Sequence, residues 1–170
     1  SHQTRIHEDH WRHINRLMTH TISSYDDFKA LEGREIGISD WYQIDQEQIN
    51  IFADATHDHQ WIHTDVDRAK EEMPDSKTIA HGYLTLSMTP AMTSQFVKFT
   101  NLERAINYGV NKVRFMNMVP VESRVRARTE ILKVRQRAGA IQVTAQTTVE
   151  IENMDKPACV AETVSFYYLK

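Results

Sequence analysis

The alternation of apolar and polar residues separates a helical first half of the chain from a strand-rich second half. Residues 141–151 alternate almost without exception, the strongest periodicity in the chain, which predicts a half-buried β-strand. Clean alternation also predicts strands over residues 124–131 and 158–168, and partial alternation predicts one over residues 108–115. Because consecutive alternating strands form antiparallel sheets with one apolar face, the second half predicts such a sheet.

Helical spacing dominates the first half, with one alternating stretch inside it. Apolar residues three and four positions apart predict an amphipathic helix over residues 4–21. Asp45 is typical of a helix N-cap and opens a predicted helix over residues 46–56. Alternation predicts a strand over residues 34–44, and two short helical pieces are predicted over residues 25–33 and 65–72.

The segment at residues 81–96 is apolar on nearly every side, which predicts a buried helix with Tyr83 in the core. Pro90 lies inside this segment and is expected to kink or interrupt the helix. A buried helix and an antiparallel sheet with one apolar face predict an α+β fold in which a curved sheet wraps around a central helix. We expect one such domain over residues 33–170, preceded by a helical extension over residues 1–32.

Composition narrows the partners of this domain. The 170 residues carry a net charge of −3, so the chain offers no basic face for nucleic acid. No apolar run approaches the ~18 residues of a membrane span, and the polar, His-rich N-terminus is not typical of a signal peptide. Cys159 is the single cysteine, which excludes an internal disulfide and is consistent with a cytoplasmic location.

Candidate chemistry is concentrated just before and at the start of the central helix. Asp58 and His63 are five positions apart where a helix is predicted to run into a loop, and Ala80-His81-Gly82 opens the apolar segment. A carboxylate and an imidazole can transfer protons, and a free backbone N–H at a helix N-terminus can stabilise an oxyanion. Spacing alone favours structural roles, with Asp58 as a turn cap and His63 as a buried histidine.

Metal binding is an alternative for the same stretch. Imidazole and carboxylate side chains would suit Zn²⁺, Mn²⁺ or Fe²⁺, and five of them lie within ten positions: Asp54, His57, Asp58, His59 and His63. No HExxH or comparable spacing is present, so we expect no metal site.

Two segments resemble a known family, and they read FADATHDHQWIHTD and TIAHGYLTLS. They are similar to the MaoC-like dehydratases, the (R)-specific enoyl-CoA hydratases, and most similar to the nodulation protein N branch. Three downstream segments also resemble that branch: NYGVNKVRF, VPVESRVRAR and KPACVAE. The resemblance covers residues 33–168 and implies a hot dog fold, a homodimer and an acyl-CoA thioester substrate, with no cofactor beyond the CoA that the substrate carries.

The same resemblance implies roles for individual residues. Asp58 and His63 correspond to the catalytic pair, and Ala80-His81-Gly82 corresponds to the start of the family's central helix. We expect the oxyanion or substrate-binding part of the site to comprise Gly82, His81, His57 and Ser87. The family usually has Gly before the Asp, whereas this chain has His57, whose side chain could narrow the pocket or join the chemistry. Glycine there would permit a positive φ. Gln60-Trp61 replaces the usual Asn-Pro between the two catalytic residues.

Two alternative functions remain open at this point. Hot dog proteins include acyl-CoA thioesterases, which use a carboxylate to activate water against the thioester carbonyl. A non-catalytic domain that only binds an acyl thioester is the other alternative. Three alternating arginines could contact the CoA phosphates, although such a row is more typical of a solvated sheet face: Arg124, Arg126 and Arg128.

Overall fold

The computed structural model describes residues 19–170. Their elements, in chain order, are β1 (His20–Ile22), α1 (Tyr25–Lys29), β2 (Glu35–Ile38), β3 (Tyr42–Gln43), α2 (Gln46–Thr56), α3 (Trp61–Thr64), α4 (Val66–Glu72), α5 (Gly82–Thr93), β4 (Val97–Phe99), β5 (Leu102–Phe115), β6 (Arg124–Arg137), β7 (Ala140–Ile151) and β8 (Cys159–Leu169). None of the helices in this part of the chain is long and apolar enough to cross a bilayer.

Six of the strands form one antiparallel sheet. Its order is β2–β6–β7–β8–β5, and β3 pairs with β6 beside β2. The three long hairpin partners β6, β7 and β8 lie in the middle, whereas β5 is an edge strand of 14 residues. A separate two-stranded sheet pairs β1 with β4 in parallel. The predicted antiparallel sheet in the second half of the chain is therefore confirmed.

Helix α5 packs against one face of this sheet. Leu84 and Met92 are buried there, and so is the hydroxyl-bearing Thr85. Leu84 and Met92 belong to a core cluster that α2 and the long strands complete, with members such as Ile49, Val125, Ala127, Val149 and Ala161. The predicted α+β architecture, a sheet around a central buried helix, is confirmed.

A second cluster joins the N-terminal elements to the same sheet. Ile22, Phe28 and Leu31 are buried against side chains of β6 and β7. The part of the predicted extension that the structure describes thus packs into the domain core. The boundary between residues 1–32 and residues 33–170 stays a prediction.

Two sequence-based element predictions need correction. Most of the helix predicted over residues 4–21 lies outside the described residues, and its last part is strand β1 instead. The strand predicted over residues 34–44 is divided into β2 and β3. The division follows from Ser39, whose side-chain hydroxyl accepts the Ala127 N–H at 2.8 Å, in a position where a continuing strand would offer a backbone carbonyl.

Helix α5 runs through Pro90 to Thr93, so Pro90 does not interrupt the helix, and the expected kink stays a prediction. Proline has no N–H to donate to the carbonyl four residues earlier, that of Leu86. The hydroxyl of Thr89 donates to the Leu86 carbonyl instead, at 2.8 Å. This side-chain hydrogen bond satisfies the carbonyl that proline would leave unpaired.

The expectation that Tyr83 belongs to the core is also wrong. Its side chain is 68% exposed and its ring meets Phe115 edge-on, with the ring centroids 5.7 Å apart. Because α5 is apolar around its whole circumference, the sequence pattern does not distinguish the face that packs on the sheet from the one that does not.

Cys159 lies at the start of β8, paired in register with Phe115 of β5 and Val149 of β7. The residue is completely buried. Burial raises the pKa of the Cys159 thiol to about 11, because a thiolate would be desolvated there.

Candidate active site

The turn after α2 delivers Asp58. The Asp45 carboxylate caps α2 by accepting the Gln48 N–H at 2.8 Å, as predicted, and the helix ends at Thr56. His57 then adopts the left-handed conformation, with φ 63° and ψ 18°. This conformation commonly ends a helix and favours glycine. His57 adopts it at a higher conformational free energy than a glycine would. The His57 side chain is exposed.

His63 lies in the short helix α3 with its ring turned inward. It is 7% exposed, and its Nδ1 lies 2.7 Å from the carbonyl oxygen of Ile79. A carbonyl can only accept, so Nδ1 carries the hydrogen and the neutral ring keeps its lone pair on Nε2. Burial lowers the pKa of His63 below the ordinary value of 6.5, which favours this neutral form.

Asp58 contributes a carboxylate that solvent can reach. Its side chain is 53% exposed. One carboxylate oxygen, Oδ1, accepts a long hydrogen bond of 3.4 Å from the Gln60 N–H, which keeps the side chain close to its own loop. The carboxylate is therefore open to a substrate on one side and faces the buried histidines on the other.

His81 joins the predicted pair. Its Nε2 lies 3.0 Å from the backbone oxygen of Asp58 and 4.0 Å from the carboxylate atom Oδ2. Its ring stacks on that of His63, with centroids 3.8 Å apart and planes at 22°. Polar atoms of Asp58, His63 and His81 all lie within 4.8 Å of one another. The structure thus brings together the two residues predicted as catalytic and one of the four predicted around them.

Gly82 is the first residue of α5 and follows His81 directly. The first N–H groups of a helix have no carbonyl four residues earlier to bond, so they are available to a ligand. A Cβ at this position would lie 2.9 Å from Cγ of Phe115. The absence of a side chain therefore lets the Phe115 ring close against the start of the helix.

Ser87 lies farther along α5, away from the histidines. It is exposed and lines a cavity of about 780 Å³ between the second half of α5 and the sheet. The other walls come mainly from β5, β7 and β8, and they are mostly apolar, with residues such as Leu102, Val110, Val143, Ala145 and Val164.

Among the described residues, those named for the metal alternative do not form a single cluster. Asp54 and His59 pair with each other at 2.8 Å in an exposed position. The three groups that do lie close are Asp58, His63 and His81.

The alternating arginines of β6 are engaged on the sheet surface. Arg126 pairs with Glu150 at 2.9 Å and Arg128 with Glu35 at 3.0 Å, while Arg124 contacts Glu152. These pairs are consistent with the solvated sheet face that their alternation indicates.

Sequence comparison places the chain among known proteins. Residues 27–154 match the family model described as MaoC like domain. The 3-hydroxyacyl-thioester dehydratase Z of Mycobacterium tuberculosis is 49% identical over 148 residues, which cover 86% of this chain and 97% of that relative. Nodulation protein N of Rhizobium meliloti is 46% identical over 144 residues, or 84% of this chain and 89% of that relative.

Structural comparison shows that an R-hydratase has the same fold as this chain. The unliganded R-hydratase of Pseudomonas aeruginosa superimposes with a TM-score of 0.68 at 18% identity, and the match covers 86% of each chain. The backbone architecture is thus shared at a sequence identity too low to carry a function by itself.

Sequence reasoning missed how His81 is used. The Ala80-His81-Gly82 motif marked the residue, but the loop contact and the ring stack depend on the turn at His57 and on where α3 meets α5. A histidine immediately before a helix-opening glycine was the available signal.

Proposed function

This chain belongs to the MaoC-like dehydratase family, in its nodulation protein N-like branch, and from that premise we propose that it is an enoyl-CoA hydratase. Its fold is the hot dog fold, and its family makes it a hydratase or dehydratase of acyl thioesters. The finer proposal is reversible addition of water to a trans-2-enoyl-CoA, which gives the (R)-3-hydroxyacyl-CoA. The observation that carries it is the approach of Asp58 and a neutral His63 beside the N-terminus of α5.

The proposed chemistry needs a proton acceptor, a proton donor and a stabilised thioester oxygen. Asp58 and His63 hold one water between them. As the water oxygen adds to C3, one O–H bond breaks and the pair takes that proton; the pair then delivers a proton to C2. The pair therefore ends in its starting protonation state. The Gly82 N–H donates to the thioester oxygen, where negative charge develops in the transition state. General acid–base help is worth about 10²–10⁴ in rate, and one oxyanion donor about 10²–10³.

No metal or cofactor takes part in this proposal beyond the CoA of the substrate. The fixed tautomer of His63 supports it, since the Ile79 carbonyl leaves Nε2 as a base that needs no metal to activate it. Activity that survives dialysis against a chelator is the expected result.

The acyl chain of the substrate, in the same proposal, runs along α5 from Gly82. Ser87 lies five residues farther on, about 7 Å along the helix axis, where the apolar cavity begins. The predicted role of Ser87 in substrate binding is then contact with the acyl chain rather than with the reacting atoms.

A homodimer in the cytoplasm, acting in fatty acid metabolism, completes the proposal. Strand β5 supports the dimer, because it is a long edge strand with exposed apolar side chains at Ile106, Tyr108 and Val110. Tyr83 of α5 is a further exposed apolar side chain. The buried, unpaired Cys159 supports a reducing compartment.

The test is loss of enoyl absorbance with crotonyl-CoA and with a longer trans-2-enoyl-CoA. Asp58→Asn and His63→Ala are each expected to lower kcat by about two orders of magnitude. The chain offers matched controls in the exposed pair beside the site, Asp54→Asn and His59→Ala, which are expected to keep wild-type activity.

Chiral analysis of the product and assay of free thiol complete the test. An (R)-3-hydroxyacyl-CoA without release of CoA supports the proposal. Release of CoA would instead identify a thioesterase, and binding without turnover would identify an acyl-thioester-binding protein.

A further inference from the structure

His81 lies between the loop of Asp58 and the ring of His63 and does not face solvent. It is 2% exposed. Besides the stack on His63, its ring meets Phe52 with centroids 4.9 Å apart. The enclosed ring contacts both residues that the proposed function makes catalytic, Asp58 and His63.

The hydrogen-bonding atoms of His81 are used unequally. Nε2 lies 3.0 Å from the Asp58 carbonyl and must donate, because a carbonyl can only accept. Nδ1 is buried and has no partner among the described residues. Among the described residues, the one hydrogen bond that holds the ring is therefore the bond that Nε2–H donates to the Asp58 carbonyl. This bond also fixes the tautomer of the ring.

We propose that His81 is a positioning residue, which anchors the Asp58 loop through its Nε2–H and holds the His63 ring by stacking. This proposal depends on the proposed function only for the catalytic roles of Asp58 and His63. Asp58 needs the anchor because its side chain is half exposed and the one hydrogen bond described to its carboxylate, from the Gln60 N–H, is 3.4 Å long. Such a weak contact does not by itself fix a carboxylate for proton transfer.

Two substitutions separate the functions of the ring. His81→Phe keeps an aromatic ring for the stack but removes the donor. His81→Gln removes the ring but places an amide N–H near the position of Nε2. The control is Ser39→Ala, a buried polar side chain whose hydrogen bonds go to Asp40 and Ala127 rather than to the site.

The expected result is a split between kcat and KM. His81→Phe should lower kcat about tenfold or more with KM within about threefold, because the substrate still binds while the carboxylate is misplaced. His81→Gln should recover several-fold of that loss, and Ser39→Ala should keep wild-type kcat even if it melts earlier. A His81→Phe enzyme within about twofold of wild type, or a Gln variant no better than Phe at equal folded fraction, overturns the proposal.

A measurement without substrate distinguishes failure here from failure of the proposed function. The ¹⁵N shifts of the His81 ring at a pH where it is neutral are expected to show the Nε2–H tautomer. The Nδ1–H tautomer would overturn the anchor, whatever the enzyme does. A wild-type protein that is inert towards enoyl-CoA but shows the Nε2–H tautomer would count against the hydratase alone.

Discussion

At the residue scale, burial and one hydrogen bond decide what His63 can do. The desolvated ring resists a positive charge, and the Ile79 carbonyl fixes the hydrogen on Nδ1. The hydrogen bond to Ile79 and the nearby Asp58 act in the opposite direction but do not cancel the effect of burial. The result is a base whose pKa lies below the ordinary value for histidine.

The pH dependence of activity follows from this shift. Since the folded pKa of His63 lies below 6.5, the acid limb of kcat/KM is expected below pH 6.5, where the proposed base becomes protonated. Rates measured from about pH 5 to 9 give the limb. His59→Ala should leave it in place, because His59 is exposed and paired with Asp54. A limb at or above pH 6.5 would contradict a His63 base.

The free energy of unfolding should also decrease as the pH falls below 6.5. The unfolded chain binds a proton to His63 near pH 6.5, while the folded protein resists it until lower pH. The contribution of His63 is therefore fully present above pH 6.5 and is lost as the pH falls from there through the folded pKa. Urea unfolding of the wild type and of His63→Gln across this range would show a smaller decrease for the variant.

A side chain at residue 82 should lower kcat by displacing the start of α5. Gly82→Ala puts a Cβ 2.9 Å from the Phe115 ring, so ring and helix start must separate, and kcat should fall about tenfold or more. Gly37→Ala creates a comparable conflict at 2.5 Å with Phe96, which belongs to the second core cluster and lines the apolar cavity rather than the Asp58–His63 pair. Both variants should melt earlier, but only the first should lose kcat among the folded molecules. Equal losses of kcat would contradict the role of the Gly82 N–H.

Sequence reasoning reached Asp58, His63 and Gly82 because a motif marks them. It did not reach the burial of His81, since the stack depends on the meeting of two helices distant in sequence. Nor could spacing alone distinguish a catalytic His63 from a structural one, because both would be buried and hydrogen-bonded.

At the element scale, α5 shows how a helix tolerates an internal proline. Pro90 removes one backbone donor and Thr89 supplies a hydroxyl to the same Leu86 carbonyl. The hydroxyl of Thr93 donates in turn to the Thr89 carbonyl at 2.8 Å. Two threonines thus support the turn that the proline would weaken.

A double-mutant cycle tests this compensation. Thr89→Val leaves the Leu86 carbonyl without its donor and should cost about 1–3 kcal/mol of unfolding free energy. In a Pro90→Ala background the backbone N–H of residue 90 can serve that carbonyl, so the same substitution should cost less. Denaturant unfolding of the four proteins gives the coupling energy. Equal costs in both backgrounds would contradict the compensation.

Elements were predictable where local signals agree. The bounds of α2 follow from the Asp45 cap and the helical spacing after it, and β7 follows from uninterrupted alternation. The division between β2 and β3 was not predictable, because it depends on a hydroxyl that binds a strand far along the chain. The exposed face of α5 could not be predicted either, because the helix is apolar on every face and the sequence does not distinguish one face from another.

At the scale of the whole molecule, the sheet has an edge that is poorly protected. Among the described strands β5 pairs only with β8, and its exposed side chains include Ile106, Tyr108 and Val110. An exposed apolar edge of this length favours pairing with another chain. The β5 edge is the surface that we assign to the proposed homodimer.

Charge on this edge should separate the two chains. Light scattering should give the wild type a mass of two chains, and Ile106→Lys with Val110→Lys should give a mass of one, because two lysine rows would meet across the symmetric contact. Ile51→Lys with Val66→Lys is the matched control, since these residues are similarly exposed on α2 and α4. A wild type that is monomeric, or a dimer that survives the β5 substitutions, would contradict this surface.

Alkylation of Cys159 can measure how often the sheet opens spontaneously. It is the single sulfhydryl in 170 residues, it lies at the centre of three paired strands, and its thiol pKa is about 11. An alkylating reagent therefore reacts only with molecules whose sheet has come apart at β8. The labelling rate, compared with that of the unfolded chain, converts directly into the population of open molecules. Acyl-CoA that binds only the closed form should slow the labelling in proportion to its occupancy.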